Sequence, residues 1–494
     1  MEIATAGTKA LKTDSPNSSL LADPANPVHR AVDIVEALNE QRLSAETLMA
    51  QSYATINRCN PSINAICTLI DQDAAMAMAR EVDQQRALGM PLPPLAGLPI
   101  AIKDLAQTKG LRTTLGSPLF RDNIPDSDSL IVSRLKAAGA LVIGKTNTPE
   151  MGAGSHTFNT VFGITRNPYN LDRSAGGSSG GAAAALRCGM LALADGSDMG
   201  GSLRNPAGFC NVVGLRPSMG RVPTWPQATS FFARMGIEGP MARTVEDCTL
   251  LLQHIAGPDP RDPLSLPQQH FSPDGLASDP SGVKIGFSRN PAGIPVERPV
   301  LRIFEDAVAD FAQLGCDMEE IKLDQLDGAM TVFRTLRAAA YATLAGDLFK
   351  QFGEQMKPTL ADNIKQGLAL SADDIFDAET NRSVQFAALS QLFETLDFLV
   401  LPVAQVAPFP VEQEYPTAIE GEAMQDYIDW MAVCCMISPF GLPAASVPAG
   451  FDADGLPMGV QIVGRPGDDM GVLRLAYAFQ QRTRYWQQQP PELK

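Results

Sequence analysis

The sequence contains few residues of the kind that usually hold a catalytic metal. It has four histidines among 494 residues and no His-Glu-x-x-His segment. Catalytic zinc is commonly bound by histidines at such spacings, so this scarcity argues against a zinc enzyme. We therefore expect a site that works with no metal and no other cofactor.

Cysteine spacing of the kind found in disulfide frameworks and zinc sites is also missing. The eight cysteines include no Cys-x-x-Cys pair, and most stand among apolar residues. Such cysteines behave as small buried apolar side chains in a reduced compartment. No apolar run is long enough for a membrane span, and residues 1–26 lack the apolar core of a signal peptide. We expect residues 1–26 to be a flexible tail and the protein to be cytoplasmic, with no membrane partner.

Positive charge is scarce as well. Lys and Arg total 39 against 55 Asp and Glu, which gives a formal net charge of −16 at pH 7. A strongly negative chain repels nucleic acids and anionic membranes, which are therefore not expected as partners. Small neutral molecules are the substrates that fit this charge best.

Two segments rich in glycine and serine stand out against this background. They are Ser174-Ala-Gly-Gly-Ser178-Ser179-Gly-Gly181 and Asp198-Met-Gly-Gly-Ser202-Leu-Arg204. Glycine beside a hydroxyl lets the backbone approach whatever the hydroxyl contacts, so the pair is typical of a site. Either segment alone is more often a surface loop.

Several alternative motifs can be compared with these segments. No Lys-Ser or Lys-Thr follows the glycines, which excludes a P-loop, and the parts of a dinucleotide-binding fingerprint do not occur together. Gly176 to Gly180 fits the Gly-x-Ser-x-Gly elbow of α/β-hydrolases, which needs a later histidine. Only His254 and His270 follow it. The first lies in an apolar helical run and the second in a loop rich in Pro and Asp, so this interpretation is the weaker one.

A third segment lies upstream and ends in a lysine. In Gly97-Leu-Pro-Ile-Ala-Ile-Lys103-Asp104 the apolar residues predict a buried strand with Lys103 at its end. A desolvated lysine has a lowered pKa and can act as a base. The alternative is a surface lysine whose ammonium group extends into solvent.

Together, the three segments resemble those of the amidase signature family of serine hydrolases. The resemblance covers roughly residues 30–485 and also includes Gly144-Lys-Thr-Asn147, Gly214-Leu-Arg-Pro217 and Gly455-Leu-Pro-Met-Gly-Val-Gln461. It implies an α/β fold: a single large catalytic domain at 27–490, with a central mixed twisted β-sheet covered by helices on both sides. The chain departs from the family at Ser438-Pro439-Phe440, where members often carry an asparagine.

The resemblance also implies a Ser-Ser-Lys triad. Ser202 is the implied nucleophile, Ser178 the bridging serine that follows a cis peptide bond, and Lys103 the terminal base. A serine hydroxyl is a poor nucleophile until a neighbour removes its proton, which explains why such a relay is needed. The implied oxyanion hole consists of backbone N–H groups, namely those of Met199, Gly200 and Gly201. Supporting polar contacts are implied for Ser179, Asp198 and Arg204.

The remaining sequence suggests where a substrate pocket lies. Residues 128–138 predict a helix and residues 140–144 a strand, which is the alternation of an α/β sheet. Ligands favour the carboxyl edge of such sheets, so the loop at 146–157 is predicted to form one pocket wall. The residues chosen for that wall are Glu150, Met151, Gly152 and Ser155.

Helical spacing of apolar residues covers two long stretches. The first is residues 27–87, including Ile66 and Leu69, and the second is the mainly helical region 300–396, which we expect to select the substrate. The aromatic and apolar residues of the second stretch can line a pocket or belong to the core. They are Phe333, Tyr341, Leu344, Phe349 and Phe352.

The sequence thus predicts an amidase that hydrolyses carbon–nitrogen bonds of small molecules, through an acyl-enzyme on Ser202. Amides, anilides, carbamates and esters all fall within the range that the resemblance implies, and we expect a monomer or homodimer. A second hypothesis is a component of an amidotransferase complex that releases ammonia for tRNA-linked transamidation. A third is a binding module on the same scaffold, which requires a defect in the triad, and none is visible.

Overall fold

A computed structural model describes residues 29–491 of the chain, which contain all of the helices and strands named below. The predicted tail at 1–26 lies outside these residues. The α-helices are α1 (Ala31–Asn39), α2 (Ala45–Ile63), α3 (Gln72–Ala87), α4 (Leu130–Ala137), α5 (Gly180–Arg187), α6 (Arg204–Phe209), α7 (Val245–Ile255), α8 (Arg298–Gln313), α9 (Ala329–Phe352), α10 (Pro358–Ala369), α11 (Ala372–Leu392), α12 (Ala432–Cys435) and α13 (Asp469–Thr483).

The strands are between two and eight residues long. They are β1 (Ile66–Leu69), β2 (Pro99–Lys103), β3 (Leu141–Thr146), β4 (Phe158–Asn159), β5 (Gly163–Ile164), β6 (Arg166–Asn167), β7 (Asn170–Ser174), β8 (Leu193–Asp198), β9 (Val213–Arg216), β10 (Ile237–Ala242), β11 (Lys284–Phe287), β12 (Asp317–Glu320), β13 (Phe398–Pro402), β14 (Ala418–Ile419), β15 (Glu422–Ala423), β16 (Ala444–Phe451) and β17 (Pro457–Gly464).

A large mixed sheet forms the centre of the molecule. Its eight strands follow the order β12-β11-β13-β17-β16-β9-β10-β8. Strand β11 runs parallel to β12 and β13, whereas β13, β17, β16, β9, β10 and β8 pair antiparallel. The prediction of an α/β domain with a mixed central sheet covered by helices is therefore confirmed.

A second sheet places Lys103 beside the last strand of the large one. It has the order β1-β3-β2, and β2 runs parallel to β3. The backbone N–H of Lys103 donates to Asp195 Oδ1 on β8 at 2.9 Å. Because β8 leads directly into the Ser202 segment, this contact brings two distant parts of the chain to one place.

Close packing of α5 against the end of β3 positions Ser178 and Ser179. All eight residues of α5 are buried. A Cβ at Gly181 would lie 2.3 Å from the backbone nitrogen of Asn147, so the helix can approach this closely only with glycine there. The small-residue run of the sequence thus lets the helix sit deep in the core.

The helical prediction for residues 27–87 was wrong at Ile66 to Leu69. These residues form β1, which pairs antiparallel with β3. Helix α2 ends at Ile63, and the next residue, Asn64, has a left-handed φ of 56°. Asn60 Oδ1 accepts hydrogen bonds from the N–H groups of Ala65 and Ile66, both at 2.8 Å. Strand β3, which is far away in sequence, offers an unpaired edge to residues 66–69. Pairing with this edge makes them a strand.

Region 300–396 contains most of α8 and all of α9, α10 and α11, but also the strand β12. Within residues 29–491, no helix is both long and apolar enough to cross a bilayer. All eight cysteines lie within residues 29–491, and none of them forms a disulfide.

Candidate active site

Three chain segments meet at the candidate site. Lys103 ends β2, Ser178 and Ser179 immediately precede α5, and Ser202 lies between β8 and α6. The backbone N–H of Ser179 donates to the carbonyl oxygen of Ser202 at 3.2 Å. This bond joins the two Gly/Ser segments directly.

Lys103 is buried among hydroxyl groups. Its side chain is 1% exposed, and Nζ lies 2.8 Å from both Ser178 Oγ and Ser179 Oγ. Ser197 Oγ lies 3.1 Å away and the Ser197 carbonyl oxygen 3.3 Å away. Burial lowers the pKa of Lys103 to about 7, although nearby carboxyl groups raise it in part. A neutral amine can thus exist at this position near neutral pH and accept a proton.

Ser178 and Ser202 line the same cavity and are 2% and 8% exposed. The peptide bond between Gly177 and Ser178 is cis. Within residues 29–491, the hydrogen bonds of Lys103 and Ser178 do not extend to Ser202 Oγ. Lys103 and Ser178 are therefore in direct contact, and Ser202 stands beside them on the cavity wall.

A buried ion cluster holds the segment that carries Ser202. The Asp198 carboxylate accepts hydrogen bonds from the Gly201 N–H at 2.8 Å and the Leu203 N–H at 3.1 Å. It also pairs with Arg204 at 2.9 Å and with Arg216 at 3.3 Å, and all three side chains are fully buried. Burial by itself raises the pKa of Asp198, but the two guanidinium groups hold it well below its usual range. The carboxylate therefore stays ionised and ties the turn to α6 and β9.

The segment at which the sequence departs from the family takes part in this cluster. Ser438 Oγ accepts a hydrogen bond from Arg204 at 2.9 Å, and the Ser438 carbonyl oxygen accepts one from Arg216 at 2.9 Å. Ser438 thus supplies polar partners to both buried arginines.

The three residues implied for an oxyanion hole differ in whether their backbone N–H group is already hydrogen-bonded. The Gly201 N–H is occupied by Asp198, and its φ of 121° is one that glycine tolerates best. Among the described residues, the N–H groups of Met199 and Gly200 have no hydrogen-bond acceptor. Met199 lines the cavity, whereas Gly200 and Gly201 are not among its lining residues. Two of the three N–H groups implied for the oxyanion hole are thus unbonded, and one of these two belongs to a cavity-lining residue.

The cavity has a volume of about 320 Å³. Its polar lining includes Ser178, Ser197, Asp198 and Ser202 and, on the opposite strand and the preceding segment, Glu238 and Arg234. The rest of the wall is mostly apolar and includes Leu105, Met151, Met199, Phe232, Ile237, Tyr341 and Leu344. This size and lining are typical of a pocket for a small organic molecule.

Comparison with known proteins identifies the family to which the chain belongs. A sequence model of the family Amidase matches residues 47–473. The chain belongs to the amidase signature family.

Two of the relatives within this family have different names. One relative is a glutamyl-tRNA(Gln) amidotransferase subunit from Geobacillus kaustophilus, which is 35% identical over 94% of this chain and 99% of its own. Another is the acylamidase of Rhodococcus erythropolis, 35% identical over 93% of this chain and 96% of its own. The crystal structure of a bacterial aryl acylamidase superimposes with a TM-score of 0.87 at 31% identity, covering 93% of this chain and 97% of that one.

Four residues of the loop at 146–157 were predicted to line the pocket of this amidase signature protein, and two of them do so. Met151 and Gly152 line it, but Glu150 and Ser155 do not. Glu150 turns away because its carboxylate accepts hydrogen bonds from Ser117 Oγ at 2.6 Å and from the backbone N–H of Lys357 at 2.7 Å. Ser155 is buried and accepts a hydrogen bond from Trp430 Nε1 at 2.7 Å.

The aromatic and apolar residues of region 300–396 divide between cavity and core. Tyr341 and Leu344 of α9 line the cavity. Phe333 is fully buried in the core, Phe349 packs against a separate apolar cluster, and Phe352 is 39% exposed. Helical spacing could not separate these roles, because one long helix contacts several neighbours.

The largest contribution that sequence reasoning missed comes from the segment after β9 together with the first residues of β10. Residues 224–238 supply much of the wall, including Phe232, Arg234 and Glu238. The available signal was a loop with Trp225-Pro226 and Phe231-Phe232 among small polar residues, since large aromatic residues in a loop often mark a binding surface. Neither His254 nor His270 lines the cavity, so the elbow interpretation has no histidine to supply its base.

Proposed function

We propose that this protein is an amidase that hydrolyses small-molecule amides, anilides, esters and carbamates through an acyl-enzyme on Ser202. The observation that carries the proposal is the buried Lys103, whose Nζ lies 2.8 Å from Ser178 Oγ beside a cavity that Ser202 also lines. A lysine with a pKa near 7 next to a hydroxyl group is a base poised for operation at neutral pH. Acyl transfer is the reaction that a serine pair with such a base performs best.

In the first step Ser202 Oγ attacks the carbonyl carbon of the substrate. Its proton passes to Ser178 Oγ, while the Ser178 proton passes to Lys103 Nζ, so the charge ends on the lysine. The contact between Ser202 and Ser178 has to form for this transfer, and such contacts often shorten only once a substrate is bound. The oxygen of the tetrahedral intermediate is stabilised by the free N–H groups of Met199 and Gly200.

Collapse of the intermediate breaks the carbon–nitrogen bond. The leaving amine takes a proton from Ser178, which is reprotonated by Lys103, and the acyl group stays on Ser202. Water then attacks the acyl carbon and gives its proton to the same relay. Ser202 Oγ leaves with a proton, the carboxylic acid is released, and Lys103 is neutral again.

The first prediction concerns Ser202. In the Ser202→Ala variant, turnover of an amide, an ester and a carbamate built on one nitroaromatic chromophore should fall at least about 10³-fold, because the acyl group has no attachment point. The measurement is release of the chromophore under matched conditions. Ser278→Ala, at an exposed loop serine, is the matched control and should retain native turnover. Retained turnover in Ser202→Ala, with an unchanged unfolding midpoint, would remove Ser202 from the proposed role.

A second candidate function is suggested by the names of the relatives. Several of them are subunits of glutamyl-tRNA(Gln) amidotransferase, and the chain spans 99% of the length of the one from Geobacillus kaustophilus. In that case the same residues would release ammonia from an amide for use by partner proteins. A native protein that is silent on all three chromogenic substrates yet releases ammonia from glutamine would favour this function.

A further inference from the structure

Glu238 is a carboxyl group on the cavity wall that the proposed mechanism does not use. It lies on β10 opposite Ser197 of β8 in the antiparallel register, so both side chains extend from the same face of the sheet. Both residues line the cavity. Ser197 contacts Lys103 Nζ, and this places Glu238 close to the reacting groups.

The Glu238 carboxyl group has no partner of its own in residues 29–491. It forms neither a hydrogen bond nor an ion pair, and its Oε2 atom is buried. The hydrogen bonds of Lys103 Nζ go to Ser178, Ser179 and Ser197 instead. The residue is half-buried, and a carboxyl group with one buried, unbonded oxygen on a cavity wall is available to a polar or charged group of a ligand.

The groups around Glu238 favour a positively charged partner. Burial, together with the negative charge of Asp195, raises the pKa of Glu238 to about 8. Asp262 acts in the same direction, and Lys103 opposes it. Asp262 is already paired with Arg234, and the backbone of Lys103 is bonded to Asp195. A carboxyl group with this pKa carries a proton in most molecules at pH 7, and a bound ammonium ion would replace that proton as the compensating charge.

We propose that Glu238 is a specificity-determining residue that binds an amine group of the substrate, as its ammonium ion, beyond the scissile amide. This inference rests on the proposed function and narrows its substrates to amides that carry an amine. A site with a buried polar group rejects an analogue that leaves this group unpaired, often by more than about 100-fold. An ammonium ion donates a charge-assisted hydrogen bond to the Glu238 carboxylate, whereas a methyl group in the same place leaves the carboxyl group without a hydrogen-bond donor.

The experiment uses two matched pairs of chromogenic amides. The first pair is the 4-aminobutanoyl and pentanoyl 4-nitroanilides, in which an ammonium group replaces a terminal methyl group on the acyl side. The second pair is two acetyl 4-nitroanilides that carry an aminomethyl or an ethyl group on the ring, which tests the leaving-group side. For each pair, the ratio of kcat/KM is measured in the native protein, in Glu238→Gln and in Glu238→Leu.

We expect the native protein to prefer the amine member of at least one pair by about tenfold or more. In that pair Glu238→Gln, which keeps the shape without the charge, should lose most of the preference, and Glu238→Leu should reverse it. Ratios that are the same in active native and variant proteins for both pairs would overturn the inference. A native protein that turns over none of the four amides would instead count against the proposed function, so the two failures are distinguishable.

Discussion

At the scale of single residues, the chemistry of the site depends on what burial does to Lys103. The amine is surrounded by three serine side chains and has no carboxylate in hydrogen-bond contact with Nζ among the described residues. Desolvation therefore dominates and lowers the pKa of Lys103 to about 7. An exposed lysine would be protonated at neutral pH and could not act as a base.

The residue-scale prediction is a pH profile set by Lys103. Below its pKa of about 7 the amine is protonated and cannot accept a proton, so kcat/KM for an anilide should rise with pH and level off above that value. The measurement is a pH–rate profile from about pH 5.5 to about pH 8.5, where proteins usually stay folded.

Two variants accompany this profile. Lys103→Ala should lower anilide turnover by about 10²- to 10⁴-fold and turnover of the nitrophenyl ester by less, because a nitrophenoxide leaving group needs less protonation than an amine. Lys109→Ala, at an exposed lysine, is the matched control and should keep the native profile. An anilide profile that stays flat through pH 7 in the native protein would contradict the role of Lys103 as base.

At the scale of elements, the cavity depends on a segment that carries little regular structure. Residues 224–234 are anchored at both ends by one buried carboxylate. Asp262 accepts a hydrogen bond from the Thr224 N–H at 3.0 Å and pairs with Arg234 through two bonds of 2.5 and 2.8 Å. Its pKa is lowered because the contacts with Arg234 and the backbone N–H groups outweigh the effect of burial.

The element-scale prediction follows from this anchor. Asp262→Asn removes the charge that compensates Arg234, so residues 224–234 should become more mobile and the cavity wall less well defined. We expect KM for chromogenic amides to rise by about 5- to 50-fold with a smaller change in kcat, since the reacting residues lie on other segments. Faster amide hydrogen exchange confined to this segment is the structural measurement that should accompany it.

The control for this prediction is a neighbouring ion pair on the surface. Asp259 pairs with the exposed Arg261 at 2.9 Å, and such pairs contribute little. Asp259→Asn should therefore leave KM and hydrogen exchange near their native values. Equal effects of the two variants would mean that Asp262 has no special role in positioning the wall.

At the scale of the whole molecule, charge separates the two candidate functions. The formal net charge of −16 creates a repulsive field toward polyphosphates. A protein that acts alone on small amides gains from solubility and loses nothing by this charge. A component of a complex that works next to tRNA would need partner proteins to provide the contacts with phosphate.

The whole-molecule prediction uses the purified protein without partners. It should turn over chromogenic amides alone, and added bulk tRNA at low salt should change kcat/KM by less than about twofold, because like charges prevent binding. Size-exclusion chromatography of the mixture should show no shared elution. Co-elution with tRNA, or activity that requires another protein, would contradict the prediction and favour the amidotransferase-complex function.

Much of the fold followed from local sequence signals. The apolar run before Lys103 predicted β2, and residues 128–138 and 140–144 predicted α4 and β3 to within two or three residues. Buried strands and amphipathic helices leave such signals because their own side chains determine which face meets the core. Residues 66–69 have the apolar spacing of a helix but form a strand, because pairing with β3 outweighs that local pattern.

The candidate site was predictable only in part, for a related reason. The two Gly/Ser segments and the strand that ends in Lys103 were evident in the sequence, because close backbone approach requires glycine and small residues, and a buried strand requires an apolar run. Long-range packing makes Glu150 turn toward Lys357, buries Phe333 in the core while Tyr341 faces the cavity, and brings residues 224–238 to the wall. These outcomes depend on contacts between residues far apart in the chain, which no local pattern records.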